Sequence, residues 1–474
     1  MSVQHAVVTL RAKLQSIGRG SFLRSVGVLV SGTAFAQALT FLALPFVTRL
    51  YTPADFSALA VFVSVLSIIS VAACLRLEIA IPLPESDEDA AQLLALALLT
   101  CTVISAFAGI AAWCFPLQIA ILTGQPVLRP YLWMLPLSIW MASAYSAIQY
   151  WSTRKKKFGA IAKTRINQAI SGIGVQIGLG WLGFAPAGLL LGQMINSGAG
   201  LLGLLRNTVR EDRASLQRIS WFGMRRMFRQ YERFPKYSTF EAFSNNVGVQ
   251  LPVIIIATLA TGPEAGYLML ATRAMAAPMS LIGSAVSQVY LSRAPEELRA
   301  GRLADFTSQI IGGLAKGGIG PLLFAGILAP SLFILIFGEK WQRAGELVAW
   351  MTPWFIVQLL ASPVSMTLHV TGNQRTALGL QFVGLILRVG AVAIFGSLQP
   401  ALVVEAYAIS GFIFYCLYLY VVMRHSGISF SMLSRELSSS AKIVSLWIMG
   451  AVGLTFGSPW LAALGKTLMN MGGR

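Results

Sequence analysis

Apolar residues in this chain gather in long runs separated by short polar stretches, rather than alternating at a strand period. A helix crosses a bilayer with about 20 mostly apolar residues. Runs of that kind occur at 26–48, 56–75, 90–113, 130–152, 166–182, 187–205, 237–260, 265–292, 306–337, 347–371, 378–397 and 401–423. A thirteenth, 443–464, is interrupted by Ser458-Pro459. The pattern predicts an all-α polytopic membrane protein.

The polar stretches set an orientation. With the N-terminus inside and the runs alternating, 27 of the 36 Lys and Arg fall on inner segments, 6 on outer ones and 3 within helices. Positive residues stay on the cytoplasmic side. The "TRKKKF" run (153–158) and the 207–236 stretch contribute most of the bias. Residues 1–25 then form a basic cytoplasmic lead-in, because the apolar run that follows is too long for a signal-peptide core. The segment 207–236 reads as a basic linker between a six-helix lobe at 26–206 and a second at 237–423. A cytoplasmic stretch and the extra segment follow, at 424–474. The lobes echo one another: "TPADFS" (52–57) and "GPEAGY" (262–267), "WMLP" (133–136) and "WMTP" (350–353), Pro186-Ala187 and Pro400-Ala401. Three such pairs in order predict a parallel pseudo-repeat around a central cavity, with a site near the midplane.

Composition supports the class. The chain is 56% hydrophobic and 11% charged, against about 45–50% and about 25% in soluble domains. A net charge of +18 carried in short loops fits anionic phospholipids as partners, not nucleic acid. The four Cys and three His are scattered, so neither a metal site nor a disulfide framework is expected.

Three motifs fail their context. Gly178, Gly180 and Gly183 have the spacing of a dinucleotide loop but no strand before them. The "GKT" at 465–467 lacks the first glycine of a phosphate loop. Asp87-Glu88-Asp89 imitates the acidic motif of metal-dependent glycosyltransferases, yet Ser86 followed by Asp89 reads as a capping box. No catalytic residue and no cofactor is expected.

Arg273, Lys316 and Arg388 fall inside apolar runs, and Arg49 ends the first. A cation at mid-bilayer costs about 2.5–3.5 kcal/mol on insertion scales, so it demands a reason. Arg388 has an acid in prospect, Glu405 at the start of helix twelve. Arg273 has none nearby. Helix seven carries Glu241, Asn245 and Gly248 on one stripe, then Pro252, which predicts a polar interior face and a bend. These residues make Arg273, Lys316, Arg388 and Arg49 candidate ligands for an anionic substrate. Glu241, Asn245 and Glu405 become candidate gate or ion-coupling groups, with Pro252 as hinge.

"LYTPADF" (50–56), "RLEIAIPLPESDEDA" (76–90), "FGEKWQRAGEL" (337–347) and "VTGNQR" (370–375) together resemble the polysaccharide biosynthesis proteins. These are the O-antigen and exopolysaccharide flippases of the multidrug/oligosaccharidyl-lipid/polysaccharide transporter superfamily. The resemblance spans roughly residues 20–425. It implies two six-helix lobes and a bacterial inner-membrane location. It implies transport of undecaprenyl-diphosphate-linked oligosaccharide to the periplasmic leaflet, driven by an H+ or Na+ gradient, alongside a polysaccharide polymerase and co-polymerase. "ATRAMAAP" (271–278) is similar to the helix-eight stretch of lipid II flippases, whose arginine faces the central cavity, and Arg273 alone carries over. Those flippases also bear arginines on the first helix. Here that helix has Thr33 and Gln37, which disfavours a peptidoglycan precursor. A drug/cation antiporter would place acids where this chain places cations. A polymerase would need a long external loop with carboxylates, but 114–129 has Arg129 as its one charge. Transport is therefore the expectation, not catalysis.

Overall fold

A computed structural model describes residues 27–456 except 29. The basic lead-in and the end of the thirteenth run, with Ser458-Pro459, lie outside the described residues. Thirteen long helices follow one another: α1 Val30–Leu50, α2 Pro53–Ala73, α3 Asp87–Cys114, α4 Met134–Arg154, α5 Phe158–Trp181, α6 Ala187–Glu211, α7 Thr239–Leu259, α8 Glu264–Arg299, α9 Leu303–Phe337, α10 Gln342–Ala361, α11 Gln374–Leu398, α12 Val403–Ser426 and α13 Phe430–Phe456. Ten described helices are long and apolar enough to cross a membrane. The chain is a multi-pass membrane protein, and no strand occurs among the described residues.

Three boundaries differ from the apolar pattern. α5 starts eight residues before the expected 166, because the polar "FGAIAKTR" stretch is itself helical and carries Lys163 and Arg165 into the helix. α10 stops at Ala361, ahead of Pro363, which disfavours helix at the residue before it. α13 begins at Phe430, well before 443, since its first turns are polar and invisible to a hydropathy window.

Inter-residue contacts group the chain into two compact units. The first takes Met1–Ala43, Leu66–Pro116 and Pro130–Phe243. Within it α4 packs on α3, α6 and the start of α5. The second takes Leu44–Val65, Leu117–Arg129 and Ser244–Arg474. Within it α10 packs on α9, α12 and α8, and α13 lies along α9. Trp447 of α13 meets the face of α9 where Gly320 leaves room, and its ring stands edge-on to Phe324. "WMLP" sits at the start of α4, whereas "WMTP" lies inside α10. A 3₁₀ turn, Pro126–Tyr131, precedes the former.

Candidate functional site

In the first unit the acidic motif is an anchor. Ser86 accepts from the Asp89 backbone N–H at 3.1 Å and caps α3. Asp87 binds Arg154 at 2.9 Å and Lys155 at 2.6 Å. Glu88 pairs with Arg218, and Asp89 with Arg226. Arg154 also donates to the carbonyls of Pro84 and Glu85. These contacts pair all three carboxylates with the basic run, with Arg218 and with Arg226 of a surface helix, Trp221–Gln230, in keeping with the capping reading.

A second anchor stands beside it. Asp212 accepts from the Trp151 indole at 2.9 Å and pairs with Lys155 at 3.2 Å and Lys157 at 3.3 Å. Burial pushes the Asp212 carboxyl up, but the indole N–H and the Lys155 ammonium outweigh it and hold it below the usual range. Lys155 moves the other way: partial burial opposes its charge, and the two carboxylates still raise it.

The "RLE" stretch hides a residue that hydropathy passes over. Leu75 and Arg76 adopt left-handed backbone, with φ of 52° and 57°. Each such non-glycine position costs about 1–3 kcal/mol. They turn Glu78 inward on the short helix Leu77–Ala80, where it is buried. Arg76 reaches one oxygen at 3.7 Å. Burial pushes the Glu78 carboxyl up, against the pull of that guanidinium. Arg165 precedes the apolar run at 166–182 and yet lies within helix. It lies about two turns into α5, over the Tyr145 ring at 5.3 Å, and donates to Gln149 at 2.8 Å.

In the second unit the expected Arg388–Glu405 pair does not form. Glu405 instead accepts from Arg343 at 2.6 Å, and Arg343 also binds Glu264 at 3.0 Å. Arg343 starts α10 and is therefore nearer the start of α12 than Arg388, which sits halfway along α11. Arg388 is 8% exposed and lies in an aromatic box. Its guanidinium is 4.4 Å from the Phe414 ring centre, 5.6 Å from Tyr415 and 5.8 Å from Trp354. Gly384 and Gly411 make room for the rings, since a Cβ at either would strike Phe414 or Trp354.

The remaining candidates are not gathered at one point. Arg273 is half-buried on α8, nine residues past Glu264, or roughly 14 Å along the helix. Among the described residues it has neither ion pair nor hydrogen bond. Lys316 is exposed on a wide π turn, Ala315–Ile319, within α9. Arg49 is exposed at the end of α1. Glu241 and Asn245 are exposed one turn apart on α7. Pro252 lies inside α7 and is buried, and two residues before it Gln250 accepts from the Ser64 hydroxyl at 3.0 Å.

The described residues form an all-α multi-pass membrane protein, with Arg273 half-buried inside the long helix α8. The chain belongs to the polysaccharide biosynthesis protein family, whose model matches residues 46–346. No curated protein sequence matches it significantly. Its fold is similar to that of the lipid II flippase MurJ in an inward closed conformation, with a TM-score of 0.72 at 15% identity, covering 93% of this chain and 96% of that one. A multidrug resistance MATE family transporter of the MOP superfamily, facing inward, gives 0.56 at 17% identity over 82% and 95%. The Vibrio cholerae MATE transporter VcmN, as a mutant, gives 0.53 at 12% identity over 86% and 95%.

Proposed function

We propose that the protein is a flippase that carries undecaprenyl-diphosphate-linked oligosaccharide across the bacterial inner membrane, by alternating access, for surface polysaccharide assembly. The N-terminus is cytoplasmic in this reading, as the charge bias of the loops requires. The family and a fold shared with a lipid II flippase favour a lipid-linked sugar as cargo. The observation that carries the reading is Arg273, a half-buried cation without an acid, inside α8. A diphosphate must shed water to cross a bilayer, and a guanidinium offers it a planar fork of donors in a low dielectric. Lys316, exposed within α9, is a second cation of the same unit. A drug/cation antiporter of the same fold would meet repulsion at these positions.

The test is a set of three variants. Arg273→Ala abolishes surface polysaccharide while membrane insertion and monodispersity stay normal. Arg273→Lys keeps part of the export, and Arg273→Glu is as inactive as Ala. Full export by a stable Ala variant overturns the reading.

A further inference from the structure

The coupling acids expected from sequence separate in the structure. Glu241 is exposed, whereas Glu405 is built into a cluster with an excess of negative charge. Arg343 is shared by Glu405 at 2.6 Å, Glu264 at 3.0 Å and Glu346 at 3.5 Å. Glu405 is 7% exposed and Glu264 8%. One guanidinium therefore faces three carboxylates, two of them out of water. The Oε2 of Glu405 is buried and has no hydrogen-bond partner among the described residues. The first turns of α8 and α12 supply no side-chain cap there. A buried carboxylate oxygen without a donor is costly.

We propose that Glu405 and Glu264, bridged by Arg343, form a proton-binding site that couples the proton gradient to movement of α8, the helix that bears Arg273. This rests on the transport reading above. A proton fits better than a metal cation because the Arg343 guanidinium already occupies the position between the carboxylates. In the step, a hydronium ion in water at the outer end of the helices gives its proton to Oε2 of Glu405 and leaves as water. The O–H bond formed on Glu405 neutralises its carboxylate, so its ion pair with the Arg343 guanidinium becomes a weaker hydrogen bond from a cation to a neutral acid. The tie between the starts of α8, α10 and α12 then weakens, and α8 is released at the end nearest Arg273. The other titratable groups facing the cluster are Glu346, on the same helix as Arg343, and Tyr267, one turn into α8. Lys340, on the turn before α10, is taken up by the Tyr51 carbonyl at 2.8 Å.

Two measurements on the full chain in proteoliposomes test this. The first is difference infrared spectroscopy between about pH 8 and about pH 4, a range that includes the ordinary glutamate value of about 4.3. The expected result is a buried-carboxyl band in wild type that is lost in Glu405→Gln. A band of unchanged size in both Glu405→Gln and Glu264→Gln overturns the proton site, and this needs no substrate. The second is the flux of lipid-linked oligosaccharide with and without an imposed pH gradient. Wild type is stimulated several-fold, while the ratio for Glu405→Gln falls to one. A Glu405→Gln ratio equal to that of wild type overturns the coupling. A purely structural tie would reduce both fluxes together, in step with loss of folded protein. Absence of wild-type flux in either condition would refute the transport reading alone, and the infrared band would still decide the site.

Discussion

The indole N–H of Trp341 donates to the backbone carbonyl of Thr48 at 3.0 Å, across 293 positions of sequence. Beside it Lys340 donates to the carbonyl of Tyr51 at 2.8 Å. A helix leaves its last carbonyls without partners and favours a cation at that end. Residues of the "FGEKW" motif thus complete α1, and the Trp341 ring stands edge-on to Phe56 of "LYTPADF" at 4.8 Å. Gly266 permits the close approach of α8 to the Pro53 carbonyl, where a Cβ would collide. Two motifs that mark the family are halves of one lock.

That lock makes a prediction. Trp341 is fully buried, and Trp341→Ala is expected to cost about 3–5 kcal/mol. Trp341→Phe keeps most of the ring contact and loses one hydrogen bond, about 1 kcal/mol. Thermal unfolding of detergent-solubilised protein ranks the two, and equal midpoints would remove the lock.

The boxed Arg388 predicts an unusual tolerance. Its Nε lacks an acceptor among the described residues, and cation–π contacts return about 2 kcal/mol in a dry setting. Replacing a buried charge by an apolar chain is often neutral or stabilising. Arg388→Met should hold or raise the melting temperature, while Gly411→Ala, which drives a methyl into Trp354, should lower it. A sharp loss of folded protein in Arg388→Met would show that the guanidinium is needed for packing.

Asp212 predicts an acid limb. A carboxyl with a depressed folded value adds stability above its unfolded value, about 3.9, and loses it as pH falls through the folded one. Asp212 is held down by Trp151 and Lys155 against the effect of burial. Its contribution should therefore be full near neutrality, begin to fall near about pH 4 and be lost as pH drops through the lower folded value. Asp212→Asn should lower the melting temperature at neutral pH and flatten that acid fall. An acid limb with the wild-type slope would assign it to other groups.

The loop charges predict accessibility. Single cysteines introduced at 154–158 and 210–230, in a chain otherwise free of cysteine, should react with an impermeant maleimide only after the inner face is exposed. Labelling of either stretch in intact cells would reverse the orientation.

Sequence by itself determined the class and most of the helices, because a bilayer imposes a length and an apolarity that a hydropathy window can read. It also identified the family through short motifs, and it picked out Arg273 as a cation without an acid nearby. It could not read what those motifs do. Asp87, Glu88 and Asp89 find their cations in 154–155 and 218–226, and Trp341 finds Thr48, only once distant segments pack. Glu405 stands one turn into α12 with Arg388 as its nearest cation in sequence, yet Arg343 of α10 takes it. Arg388 turns instead among aromatic rings for which Gly384 and Gly411 leave space. Which partner a buried charge takes depends on helix packing over a few ångströms, and a run of apolar letters does not encode that distance.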